Sequence, residues 1–524
     1  NLSNLYHTWQ YTQESMRGKS ELVKKNSANQ TSSGLDRDYI TQWSYGIDET
    51  WTLLVPNTKG GASVPLAQNE KAMEKANPEF YQIYQQMGQY WGDQPGTSGP
   101  VYVGAFVMML FVLGLFIVKG PMKWALLAAT VLSVLLSWGR NFMWFTDLFL
   151  DYVPMYAKFR TVASILVIAE FTIPLLAMLA LKKVLETENF LKGTTPLLVG
   201  TASHRLVCRE VKNRSWFALS FLLTAGICVA FAIMPSVFFP DFVSNAELRA
   251  LASIPSEYLT PLISNLREIR ISIFTADCWR SFFVILAGTV VLVLALLKKL
   301  QPKYAVALLF ALCLVDMWQV NKRYLNDSNF ADPTEHEGQF VQQTPADQMI
   351  LADTDPHYRV ADLQGMTTNN ASYYHKTIGG YHAAKLRRYN DLLERNIYPE
   401  LSKFGAMVKY LSEQLSKDST LANAADAPAA ISQALAADST SNFPVLNMLN
   451  TKYVICNQGA FAIRNPKANG NAWFVQSLQF VKDADGEIAA LQQLDTKRAA
   501  VADERFRSTL EGSALGEGRA QLTQ

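Results

Sequence analysis

The sequence predicts an α-helical polytopic membrane protein with about six spans and a C-terminal extracytoplasmic α/β domain. Three observations lead there. Only 18% of the 524 residues are charged while 49% are hydrophobic, against roughly 25% charged in ordinary soluble domains. The mean hydropathy of +0.04 averages two unlike populations: several stretches with almost no charge, and polar ends. The Lys and Arg residues between those stretches fall unevenly on alternate loops. Together these exclude a disordered chain, a coiled coil and a plain soluble enzyme.

Six stretches approach the ~20 apolar residues that cross a bilayer: 101–118, 122–138, 161–181, 216–238, 279–297 and 303–320. The last is weakest, because it is short and holds Asp316. Loops after the first, third and fifth stretches carry Lys119, Lys123, Lys182, Lys183, Lys192, Arg205, Arg209, Lys212, Arg214, Lys298, Lys299 and Lys303. The other two loops carry fewer basic residues over more chain, Arg140, Lys158, Arg160, Arg249, Arg267, Arg270 and Arg280 among them. The denser side is expected to be cytoplasmic. Segments 1–100 and 321–524 then both lie outside, as an even number of spans requires. The location expected is thus a membrane whose densely basic side faces the cytoplasm.

Between the second and third spans, Phe142, Phe145, Leu148, Phe149 and Tyr152 repeat at three and four. That pattern predicts an amphipathic helix along the interface, ended by Pro154. Residues 241–275 read as one or two amphipathic helices with Arg249, Glu257, Arg267, Glu268 and Arg270 on polar faces. Residues 6–25 and 69–91 read as helices, and 34–66, around the run WSYGIDETWTLLVPNTKGGASVP, as turns. In 321–524, YRVADL (358–363) and TKYVIC (451–456) read as strands. AKLRRYNDLLERNI, AMVKYLSEQL and IAALQQLD read as helices, and the Ala- and Ser-rich run 419–441 as a loop or loose helix.

The net charge of +2 gives no reason to expect nucleic acid. Five cysteines without a CxxC, and six histidines without an HExxH, favour neither a disulfide framework nor a zinc site. A divalent metal is allowed, though no ligand cluster points to one. Glu170, read as mid-span, is either a functional carboxylate or a hydrogen-bonded strut. Asp316, near the end of its span, is expected to pair with Arg323 or a loop arginine. Arg140, Lys158 and Arg160 converge on one outer rim, where they would hold a lipid phosphate or simply snorkel. Asp48 and Glu49 sit among Trp43, Tyr45 and Trp51. Aromatic faces suit a sugar and a carboxylate suits general base work, although adjacent loop acids are commonly just solvated. Tyr156 completes the rim. In the exported part His375, Gly379, Gly380, Tyr381, His382 and Lys385 suggest a tight turn opening a helix, with ligand contact or a structural turn as alternatives.

Seven stretches carry a resemblance: LYHTWQYTQESMRGKSEL, WSYGIDETWTLLVPNTKGG, YWGDQPGTSGPVYVGA, VPMYAKFR, IGGYHAAKLRRYNDLL, NMLNTKYVI and NPKANGNAWFV. Together they resemble the YfhO family of bacterial membrane proteins, in its Bacteroidetes-type form. The resemblance implies a GT-C-like helix bundle and a glycosyltransferase. Such an enzyme moves a sugar from a polyprenyl-phosphate carrier to a cell-surface glycan or polymer, in some bacteria a teichoic acid. It also implies that the family's catalytic Asp lies upstream of Asn1, so that the chain is an internal fragment. The alternatives are a transporter of a lipid-linked glycan and a non-catalytic envelope scaffold.

Overall fold

A computed structural model describes residues 2–524 except 24–26, 32–33, 201–205, 335–341, 383, 416–426, 439–441, 514 and 517–524, and only the backbone at 27, 196–200 and 206–209. Arg205, the side chain of Arg209, and much of 419–441 therefore lie outside the described residues. The chain forms two compact units, 36–330 and 1–35 with 331–524. The sequence division at residue 100 is thus not where the structure divides.

The 36–330 unit is a helix bundle. Its helices are α1 (Ala105–Ile117), α2 (Pro121–Ser137), α3 (Met143–Tyr152), α4 (Val167–Glu186), α5 (Asn213–Ile233, with a π-helical turn at Leu222–Gly226), α6 (Ser256–Leu296) and α7 (Pro302–Asn321). Strands β1 (Thr194–Gly200) and β2 (Leu206–Lys212) form an antiparallel ribbon between α4 and α5. Among the described residues four helical segments are long and apolar enough to cross a membrane: Val162–Glu186, α5, α6 and α7. A fifth is added if α2 and the helix Gly139–Tyr152, bent by 107°, count as one span.

This corrects the count of six. The first apolar stretch yields a helix of only 13 residues, because Gly104 adopts φ +96 and holds Val101–Gly104 out of the helix. At 1.5 Å per residue α1 reaches ~20 Å, short of the ~30 Å hydrocarbon core. Residues 256–296 form a single 41-residue helix, so the fifth stretch continues from the amphipathic segment before it without a break. The expected helix at 69–91 is three short pieces, interrupted at Pro78.

The bundle's exterior is apolar. Phe171 and Met178 on α4, Phe283 on α6, and Phe310, Leu314 and Trp318 on α7 are all exposed. A row of large apolar side chains facing outward is stable only against hydrocarbon or another protein. The interior is filled by Phe106, Met109, Leu113, Ile173, Leu176, Ile285 and Leu292. Without a hydrophobic drive inside lipid, helices associate by close approach over small residues. A Cβ on Gly288 of α6 would lie 2.3 Å from the Phe106 ring, and one on Gly114 of α1 would lie 3.0 Å from Leu176. Gly288→Ala is therefore expected to cost about 1–3 kcal/mol by overpacking, read as a lower melting temperature in detergent.

In the other unit, β3 (Arg359–Asp362) pairs in parallel with β4 (Thr451–Cys456), and β4 pairs antiparallel with β5 (Phe461–Arg464). The helix α8 (Tyr398–Leu415) packs its Leu401, Phe404 and Val408 into the core formed with Val454 and Ile463. A second element, β6 (Ser477–Val481), α9 (Ala484–Leu491) and β7 (Ala499–Asp503), is a parallel strand pair with its helix. Residues 2–23 belong here because they bond here. Glu21 bridges Arg388 and Arg505 at 2.5 and 2.6 Å, and the Met16 amide donates to the Lys385 carbonyl.

Candidate functional site

The aromatic loop WSYGIDETWTLL is clamped at both ends to the bundle. At one end the Tyr45 amide donates to the Ser137 carbonyl at the end of α2. Trp138 Nε1 donates to Thr50 Oγ1 at 2.8 Å, and Ser44 Oγ accepts from the Arg140 amide. Gly139, at φ +44, makes this approach feasible, since a Cβ there would lie 2.1 Å from Ser44 Oγ. At the other end Ser281 Oγ of α6 donates to the Leu54 carbonyl, and Asp277 Oδ2 accepts the Asn57 amide at 2.9 Å.

Between the clamps, the short helix Asp48–Leu53 turns its two acids in opposite directions. Asp48 is half-buried and pairs with Lys59 at 2.6 Å. Glu49 is 1% exposed. Its carboxylate accepts from Tyr90 Oη at 2.7 Å, the Gly46 amide at 3.1 Å and Gln94 Nε2 at 3.4 Å. Burial pushes the Glu49 carboxyl up to about 7; the bonds from Tyr90, Gly46 and Gln94 pull the other way and Asp93 adds to the rise. The Tyr45 and Tyr90 phenols are driven upward by burial and the nearby Glu49 charge, so both remain protonated donors.

Glu49 lines a cavity of about 340 Å³, with Trp43, Tyr45, Lys59, Tyr90 and Tyr324 among its other walls. That volume lies within the ~300–1,000 Å³ of small-molecule sites. Val101 before α1, Thr161 and Ser164 before α4, and Tyr324 after α7 close it, so it sits at one end of the bundle.

The structure separates the remaining sequence candidates. Trp51 stacks edge-on against Phe231 of α5, 5.2 Å between centroids, and does not line the cavity. The basic rim is not gathered there either. Arg160 bonds Tyr39 Oη at 2.5 Å and lies over its ring. Arg140 donates to the Asp93 carbonyl. Lys158 is half-buried in the turn Tyr156–Lys158, and Tyr156 packs on Phe149. Burial lowers the Lys158 pKa. None of these four lines the Glu49 cavity.

Glu170 is not mid-helix. It falls in the first turn of α4, near enough for its charge to act on Tyr45. Asp316 pairs with Arg280 at 2.5 Å rather than with Arg323. It also accepts from Tyr102 Oη at 2.9 Å and from the Ala105 amide at 3.3 Å, which places a negative charge at the N-terminus of α1. Arg323 instead forms a fork on Asp277 at 2.7 and 2.8 Å. Arg270, expected on a polar face, is fully buried and holds Glu247 and the carbonyls of Phe242 and Gly88.

In the 331–524 unit, His375 is buried and bonds Asp347 at 2.8 Å. Gly380 has φ +118, but the next helix begins only at Arg387, so the glycine pair opens no helix N-terminus. Tyr381 is exposed, His382 Nδ1 caps the Ala384 amide, and Lys385 contributes its carbonyl to Met16. Among the described residues no three His, Cys, Asp or Glu side chains gather to hold a metal.

Sequence reasoning reached Trp43, Tyr45 and Glu49 through local composition. It missed Lys59, Tyr90, Gln94 and Tyr324, which arrive from separate segments; only the run YWGDQPGTSGP, adjoining the first span, hinted at two of them. Compared with family models, curated proteins and solved structures, the chain finds no match. What the molecule does show is a mainly helical chain, with helices long and apolar enough for a membrane, and a buried carboxyl, its pKa raised by burial, on a cavity at one end of the bundle.

Proposed function

We propose that the chain is a membrane transferase resembling the YfhO family, which passes a sugar from a polyprenyl-phosphate carrier to a hydroxyl of a cell-surface glycan, with Glu49 as general base. The observation that carries the reading is Glu49 itself: a carboxyl pushed up to about 7 by burial, on an aromatic-walled cavity. A base is most effective when its pKa lies near the working pH. Trp43, Tyr45 and Tyr90 offer ring faces and hydroxyl donors suited to a sugar.

The proposed step balances simply. Glu49 takes the acceptor hydroxyl proton as that oxygen bonds to the anomeric carbon. The anomeric C–O bond to the carrier phosphate breaks, and its electron pair leaves on the phosphate. The cavity lies at the bundle end opposite Lys119, Lys123, Lys298, Lys299 and Lys303. The positive-inside rule therefore favours an outward-facing site and a cytoplasmic-membrane location.

The test is a strain deleted for the gene, complemented with wild type or Glu49→Gln, with surface glycans read by mass spectrometry. One sugar modification is expected to vanish on deletion and to return only with wild type. Glycans unchanged by deletion would sink the transferase reading in favour of a scaffold.

A further inference from the structure

The unit that contains 331–524 has a polar cavity of its own, of about 430 Å³. It opens where β3 and β4 end. The two strands run parallel with Asp362 beside Ile455. Both residues line the cavity, with Gly365, Gln458 and Gly459 from the loops that follow. Outside the carboxyl ends of parallel strands the departing loops leave a crevice, and ligands of α/β sheets bind there.

The polar groups on the wall are unequally committed. Asp347 is used within the wall itself. Its Oδ1 bonds His375 Nε2 at 2.8 Å, and its Oδ2 accepts from the Thr344 amide and hydroxyl at 2.8 and 2.7 Å. Asp362 is different. Its Oδ1 accepts from the Gln364 and Gly365 amides at 3.1 and 2.8 Å, which fixes the carboxylate and leaves Oδ2 without a hydrogen bond among the described residues. Gly365 permits this pose, since a Cβ there would lie 2.1 Å from Asp362 Oδ2. Gln364 Oε1 accepts from the Gln458 backbone amide at 2.6 Å, which orients that side chain and leaves its Nε2–H donors over. The side-chain amides of Asn370 and Gln458 make no hydrogen bond among the described residues. None of these groups is sealed off: Asp362 is half-buried, and Gln364, Asn370 and Gln458 are exposed. Gln458 also has φ +54, between Asn457 at +49 and Gly459 at +91. A glutamine is held in that conformation only where its surroundings impose it.

The lining selects the ligand. Among the described residues no Lys or Arg lines the cavity, so an anion finds no counter-charge. No three acids gather there for a metal. What remains is one open carboxylate oxygen and several open amides, a mixture of acceptors and donors. A neutral ligand with several hydroxyls matches it, because each hydroxyl both donates and accepts. The Tyr374 ring adds a flat wall. We propose that this cavity is a binding site for a neutral saccharide, with Asp362 Oδ2 as acceptor and the Gln364, Asn370 and Gln458 amides as donors to the sugar hydroxyls. It shares no residue with the Glu49 cavity.

The experiment measures binding, not turnover, and so stands or falls apart from the transferase reading. The purified full chain is placed in phosphatidylcholine nanodiscs, which present no glycoside of their own. It is titrated with the methyl glycosides of glucose, galactose, mannose, rhamnose and N-acetylglucosamine, read by saturation-transfer NMR. Saturable binding of at least one is expected, unchanged by high salt because the ligand is neutral. Asp362→Asn keeps an oxygen for the Gln364 and Gly365 amides but turns the open acceptor into a donor. It is expected to weaken binding roughly ten- to a hundredfold, the loss of a hydrogen bond to a charged group. Asn370→Leu changes an exposed side chain with no internal bond to lose, and should weaken binding about three- to tenfold. Both variants should melt as wild type does. No saturable binding of any of the five glycosides, binding that both variants retain, or binding that Glu49→Gln loses while Asp362→Asn keeps it overturns the proposal.

Discussion

Glu49→Gln is expected to reduce transfer about 10²–10⁴-fold, the usual contribution of a positioned general base, while leaving the fold intact. Gln keeps one carbonyl oxygen to accept from the Gly46 amide, and its Nε2–H donates to Tyr90 Oη in place of the bond the carboxylate accepted. Wild-type activity should rise with pH through an apparent pKa near the Glu49 value of about 7, and this limb should be absent from the residual activity of the variant. A flat wild-type profile across that range would remove Glu49 from the mechanism. The stability sign runs opposite to the activity. Because burial raises the carboxyl, the folded protein binds the proton more tightly than the unfolded chain. Stability is therefore full below the ordinary carboxylate pKa of 4.5 and is lost as pH rises to about 7. The loss approaches ~3 kcal/mol. Glu49→Gln should thus melt higher than wild type in alkaline buffer and equally in acid, so one substitution removes activity and raises stability.

Arg323→Ala is expected to destabilise the bundle by about 3–5 kcal/mol. It leaves the buried Asp277 carboxylate with only the Asn57 amide, and the transfer of an unpaired charge out of water is the dominant cost. Asp277→Asn/Arg323→Gln keeps similar shapes without charge and should recover most of that loss. The comparison is made by thermal melts in detergent. Equal melting of Arg323→Ala and the double variant would mean that the ion pair is not what fastens α6 to the end of α7. The pairing is also geometrically specific: Asp277 and Arg280 lie one turn apart on α6, and each meets the opposite charge from α7 and its C-terminal extension.

The apolar stretches were legible because hydrocarbon demands a long run of one residue class, and such a run needs no knowledge of neighbours. The strands at 359–362 and 451–456 were legible for a similar local reason, their β-branched and aromatic content. Arg270 was misread because charge alone marks a surface position. Its partners Glu247 and the Gly88 carbonyl come from elsewhere in the chain. The partners of the basic residues Arg140 and Arg160 were hidden for the same reason. Arg140 and Arg160 are close in sequence relative to the bend after α2, yet each is drawn to a different part of segment 36–93.

By itself the sequence determined which stretches are apolar and that residues 43–51 concentrate aromatics with two acids; the breaks at Gly104 and Pro78 emerged only in the structure. Only the tertiary structure decided which acid matters. Asp48 and Glu49 are chemically alike and adjacent, and a short helix points one at water and Lys59 and the other into a wall of tyrosines. Desolvation is a property of everything packed around a group, here with Tyr90 and Gln94 arriving from 41 and 45 residues away. It raises the pKa of Glu49 and is invisible in any local run of residues.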